Sequence, residues 1–130
     1  LTGLMESFSG DTRLNIQKRV RPLAGIMSSG FDEKAAAFER DVASEPASIL
    51  VVMVGEDDRV PLKSSSGRRV PVMTPEWRAE YARRLDRMMK AAKSSKASVY
   101  WVGLPNFGRA EANEQAAGMN EVIRERAFQN

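Results

Sequence analysis

Residues 48–58 read SILVVMVGEDD. Up to Val54 the stretch is apolar and largely β-branched, without polar alternation, and it ends on Gly55 followed by three acids. It is too short and too rich in β-branched residues for a helix, so it reads as a strand covered on both faces, the kind found inside parallel sheets. Open α/β sheets bind ligands beyond the carboxyl ends of their strands. Gly55, Glu56, Asp57 and Asp58 stand at that end.

A second strand of the same kind is expected at Val99, Tyr100, Trp101 and Val102, closed by Gly103-Leu104-Pro105-Asn106. Between the two strands the spacing predicts a long amphipathic helix. Thr74-Pro75-Glu76 supplies an N-cap, a proline at N1 and an acid in the first turn. Trp77, Tyr81, Leu85, Met88 and Met89 then recur on one face to about Lys93, with Glu80 and Arg84 as a supporting pair. Upstream, Phe31, Ala35, Phe38 and Val42 predict a helix over residues 32–43, which Glu45-Pro46 ends. Downstream, Ala112, Ala116, Met119, Ile123 and Ala127 predict one from about Glu111.

The N-terminal part is less regular. Leu1, Leu4, Met5 and Phe8 make a short helical stripe. Leu14, Ile16 and Val20 alternate with Asn15, Gln17 and Arg19 as in an edge strand stopped by Pro22. The stretch LAGIMSSG, residues 23–30, suits a functional or connecting loop, although Leu23, Ile26 and Met27 could equally cover core. Residues 59–73 form a long loop with Ser64-Ser65-Ser66-Gly67 at its tip and a short extended piece at Arg69-Val70-Pro71-Val72. Helices alternating with strands of this kind mean βαβ units and a parallel sheet. Both ends of the chain read as helix, as though a strand belonged before the first and after the last.

Composition narrows the chemistry. The 130 residues are one domain's worth and contain no cysteine and no histidine. Disulfides and thiolate chemistry are excluded, and so are the commonest general base and metal ligand. Twenty basic and seventeen acidic side chains leave a net charge of +3. The pairs Arg68-Arg69 and Arg83-Arg84 lack interleaved aromatics, so they read as a solvated surface and no nucleic-acid partner is expected. No stretch reaches the ~20 apolar residues of a membrane span.

VVMVGEDDRVPL (51–62), TPEWRAEYARRLDRMMKA (74–91), VYWVGLPNF (99–107) and MNEVIRERA (119–127), in this order, resemble the SGNH (GDSL-type) hydrolase superfamily, and most of all its bacterial, exported DUF459 branch. The resemblance implies a flavodoxin-like three-layer α/β/α sandwich with a parallel sheet, acting on acyl esters without a cofactor or metal. The chain, residues 1–130, would be a single domain of that kind lacking the first and last strands. Such proteins use a serine after the first strand, an Asp-x-x-His pair near the C-terminus, and an oxyanion hole completed by a glycine and by the asparagine of Gly-x-Asn-Asp. By resemblance Gly55-Glu56-Asp57-Asp58 occupies that last block, so Asp57 stands where the asparagine would be. Gly30 is the expected oxyanion glycine, with Gly25 as its neighbour, and Gly55, Asp58 and Arg59 are the expected substrate-binding positions. The serine and Asp-x-x-His blocks would lie outside residues 1–130.

Two further expectations come with the resemblance. The location would be periplasmic or otherwise extracytoplasmic, and the substrate an acylated polysaccharide or another ester. The first strand would sit in the middle of the sheet, so another segment or chain would have to supply it. Asp57 is the departure that counts, because an ionised carboxylate offers an oxyanion only acceptors and a like charge. That favours an alternative in which the chain is a catalytically dead glycan- or partner-binding module. A third reading makes Glu56, Asp57 and Asp58 a Mg²⁺ or Ca²⁺ pocket, although neighbours on one loop rarely all face one ion.

Overall fold

The computed structural model describes residues 2–19 and 25–130. Its elements in order are α1 (Thr2–Phe8), α2 (Phe31–Ser44), β1 (Ile49–Val52), a 3₁₀ turn (Glu56–Asp58), β2 (Leu62–Lys63), β3 (Arg69–Val70), α3 (Pro75–Ser94), β4 (Ser98–Trp101) and α4 (Ala110–Gln129). The described residues thus make a mixed α/β fold with four helices and a two-stranded parallel sheet, β1 beside β4, in which Val51 faces Tyr100 and Val52 faces Trp101.

α3 is the core of the molecule, for the reason its spacing gives. Trp77, Tyr81, Leu85, Met88 and Met89 are buried on one stripe, and Ala92 continues it. The cap forms as the residues dictate: Thr74 Oγ1 accepts from the Trp77 N–H, and Pro75 takes the first helical position, where it has no N–H to lose. α2 and α4 both pack on α3. Arg87 reaches Asp32 at 2.7 Å and Glu39 at 2.9 Å across to α2. Arg126 grips Asp86 with two nitrogens, at 2.8 and 2.7 Å, across from α4. The apolar stripe of α4 runs through Ala112, Ala116, Met119, Val122 and Ile123, whereas Ala127, expected to continue it, is exposed.

Three expectations are corrected. The two strands are covered on one face only: Ile49, Val51, Tyr100 and Val102 are 56, 39, 59 and 39 % exposed. Side chains alternate along a strand, so these four share one exposed face. An apolar run tells that a strand is built for burial on both sides and not what covers it. Second, no strand forms over residues 14–19, where Leu14 and Ile16 are 43 and 39 % exposed; alternation provides a face but no neighbour to pair with. Val20, Pro22 and Leu23 lie outside the described residues. Third, the expected helical stripe at the N-terminus forms as α1, yet Leu4 and Phe8 remain exposed; Leu1 is outside the described residues.

The 59–73 segment is not an open loop. β2 and β3 form an antiparallel ladder, Leu62 opposite Val70 and Lys63 opposite Arg69, closed over the serine tip by Gly67 N–H to Ser64 O at 2.9 Å. Val70 is buried, which anchors this hairpin to the core.

Candidate functional site

The carboxyl ends of β1 and β4 place three loops together: residues 25–30, residues 55–59 and residues 102–109. Gly55 makes the first turn after β1. Its φ of 116° is one that side chains rarely adopt, and a Cβ there would stand 3.0 Å from the Tyr81 hydroxyl and 3.3 Å from both Leu104 methyls. Gly25 is packed as tightly from the other side, where a Cβ would lie 2.6 Å from Asp58 Oδ1 and 3.2 Å from the Asp57 carbonyl carbon. Gly25 lets its backbone approach that of Asp57, and Gly55 leaves room for the Tyr81 and Leu104 side chains where the loops meet.

Asp58 is the hub. It is 0 % exposed, the only buried charged residue among those described, and its Oδ1 accepts from the Met27 N–H at 2.6 Å. Its partners are therefore the backbone of the 25–30 loop. Burial pushes the Asp58 carboxyl above its ordinary range. Backbone N–H groups of Met27 and Ile26 oppose this, the Asp57 charge adds to it, and Arg84 opposes it. Among the described residues Oδ2 has no hydrogen-bond partner, and neither does the buried Tyr81 hydroxyl or the buried Arg59 Nε. Burial, then the nearby Asp58 charge, drives the Tyr81 phenol well above its ordinary value, so it stays a neutral hydroxyl.

That shift has a sign. A carboxyl whose folded pKa lies above its unfolded one loses stability as pH rises from the unfolded value into the raised range, because the unfolded chain ionises first. Glu80 works the other way: hydrogen bonds from Arg83 and, against desolvation, from Arg84 lower it from 4.5 to about 2, so its contribution is lost as pH falls through that value. We expect the urea midpoint to climb between about pH 2 and 4 and then to decline, and Asp58→Asn to abolish only the decline. Parallel profiles for the two proteins would show that Asp58 titrates normally.

The remaining sequence-expected positions separate. Asp57 and Glu56 are exposed in the 3₁₀ turn. Gly30 is exposed in the left-handed conformation at the N-cap of α2, with φ 74°, and only Glu33 would come near a Cβ there, at 3.8 Å. Arg59 is half-buried with its guanidinium 4.1 Å above the Phe107 ring, joining the 55–59 and 102–109 loops. Among the described residues no group of three or more acids could hold a metal ion. A cavity of about 580 Å³ lies along β4 between Met89, Tyr100, Ile123 and Phe128, and shares no residue with these three loops.

Four residues of the site were not assigned to it from the sequence. Tyr81 read as core, and it is core, but its hydroxyl reaches the strand end. On α4, Asn120 Oδ1 accepts from the Leu104 N–H at 2.7 Å and its Nδ2 donates to the Leu104 carbonyl at 3.0 Å, fixing the loop after β4. Arg84 read as a surface partner of Glu80, yet its Nη1 donates to the Ile26 carbonyl at 2.6 Å. Phe107 holds Arg59. The only sequence hint was a polar residue next to an apolar stripe: Asn120 directly follows Met119, and Arg84 directly precedes Leu85.

Comparison with curated proteins gave no match. The family model described as "Protein of unknown function (DUF459)" matches residues 1–130. Matched by that model along its full length, the chain belongs to the DUF459 family.

Proposed function

We propose that the chain is the central part of an SGNH-type acyl-ester hydrolase or acyltransferase domain, working outside the cytoplasm on an acylated polysaccharide or another ester of the cell envelope. The observation that carries this reading is the junction at Asp58. Beyond the carboxyl end of a parallel strand, the turn that takes the place of Gly-x-Asn-Asp is tied directly to the glycine-bearing 25–30 loop. An oxyanion hole needs backbone or amide donors from two loops held against each other, and a junction that joins two such loops supports the reading. Membership of the DUF459 family and the parallel β1–β4 pair also support it.

On this reading the sheet is the middle of a flavodoxin-like sandwich, and the bare face made by Ile49, Val51, Tyr100 and Val102 is covered by structure beyond these residues. The serine nucleophile and its Asp-x-x-His partner come from outside residues 1–130, which hold no histidine. The chain alone is expected to give no turnover of p-nitrophenyl acetate and no labelling by a fluorophosphonate probe. The full-length polypeptide is expected to give both. A full-length protein that is folded yet neither labelled nor active would leave the second reading, a glycan- or partner-binding module, which the carboxylate at Asp57 favours.

A further inference from the structure

We propose that Arg84 of α3 is a positioning residue that sets the peptide orientation of the 25–30 loop and thereby aims the loop's free amides; the catalytic use of those amides rests on the hydrolase reading above. Two successive peptide groups are each gripped at both ends. In the group joining Ile26 to Met27, the carbonyl accepts from Arg84 Nη1 at 2.6 Å while the N–H donates to Asp58 Oδ1 at 2.6 Å. In the group joining Gly25 to Ile26, the carbonyl accepts from the Ser28 hydroxyl at 2.6 Å and from Lys34 Nζ at 3.4 Å, while the Ile26 N–H is directed at Asp58. Lys34 Nζ also bonds the Ser28 hydroxyl.

A trans peptide points its C=O and N–H in opposite directions, so cations on one side and a carboxylate on the other leave each group one orientation. A flipped peptide would bring its carbonyl toward Asp58 and its N–H toward Arg84, acceptor against acceptor and donor against donor. Arg84 also reaches two peptides further along, with Nη1 3.3 Å from the Ser28 carbonyl. The N–H of that peptide, on Ser29, therefore points away from the guanidinium. Neither the Ser29 nor the Gly30 N–H has a hydrogen-bond partner among the described residues. These two donors are what the clamp leaves free, on the exposed side of the loop.

The guanidinium is itself held. Arg84 Nε donates to Glu80 Oε1 at 2.6 Å, its Cζ lies 5.0 Å from the centroid of the Phe31 ring, and its side chain is 17 % exposed. A rigid fork with several donors suits this task, and a lysine ammonium cannot reproduce it. The test compares wild type, Arg84→Ala and Arg84→Lys in the full-length polypeptide by amide hydrogen exchange. In Arg84→Ala the Ile26 and Met27 amides are expected to exchange at least about 10-fold faster, as loss of a charge-assisted hydrogen bond implies, with the Leu85 and Met89 amides of α3 unchanged. Arg84→Lys should fall between the two. Unchanged exchange at Ile26 and Met27, or a rise matched along α3, would overturn the proposal; if the alanine variant does not fold, the same comparison is read on the lysine variant. In ester hydrolysis the variant should lose kcat by about 10-fold with KM held. Faster loop exchange in a protein whose wild type hydrolyses no ester would keep the clamp and end the hydrolase reading instead.

Discussion

Trp77→Ala is expected to lower the stability of the folded chain by about 3–5 kcal/mol, a large share of the ~5–15 kcal/mol that holds a typical domain together. The indole is 0 % exposed and stacks on the Tyr81 ring with centroids 5.0 Å apart and planes 25° apart. Its Nε1 donates to the Val60 carbonyl at 2.9 Å, which ties the first turn of α3 to the segment just after the 3₁₀ turn. Alanine would leave a cavity, an unpaired carbonyl and an unstacked Tyr81, so the transfer, cavity and hydrogen-bond costs act together. Urea denaturation followed by circular dichroism measures the loss directly. A midpoint within error of wild type would mean that α3 is not the core element described above. Trp77→Phe should lose less, since it keeps most of the packing and the ring contact while giving up the hydrogen bond to Val60.

The second large effect is a gain. In the full-length polypeptide, Asp57→Asn is expected to raise kcat toward esters by about 10²-fold, at the low end of what an oxyanion donor contributes. The present carboxylate offers only acceptors and a negative charge, whereas the amide would offer a donor at the same place. The lower end is expected because Asp57 is exposed, so water screens the repulsion that asparagine would remove. The fold should tolerate the change, because the Asp57 side chain makes no hydrogen bond among the described residues and the charge lost also relieves the buried Asp58 beside it. Activity gained at unchanged KM supports both the hydrolase reading and the position assigned to residue 57. If wild type turns over and the variant gains nothing, the second oxyanion donor lies elsewhere. If neither turns over, the binding-module reading takes its place.

Helix positions were legible in the sequence because burial on a helix is periodic and local. Trp77, Tyr81, Leu85, Met88 and Met89 announce α3 by spacing alone, and Thr74-Pro75 announces where it starts. Both parallel strands were legible as well, from unbroken apolar runs closed by glycine. The same logic failed at residues 14–19. A strand exists only if another strand pairs with it, and an alternating pattern carries no information about a partner distant in the chain.

The site divides in the same way. That Gly55 ends a strand and that three acids follow it was there to be read, but not which acid is buried. Glu56, Asp57 and Asp58 are chemically alike in one dimension, and the 3₁₀ turn rotates only Asp58 inward, onto the amides of a loop 31 residues earlier. The roles of Arg84 and Asn120 were equally hidden, since both bond to backbone groups whose proximity is created by packing α3 and α4 against the strand ends. The sequence by itself determined the elements and the edge of the sheet where a site belongs, because those follow from local propensity and periodicity. Only the tertiary structure decided which side chains reach that edge, because a hydrogen bond between segments far apart in the chain depends on distances that no spacing along the chain encodes.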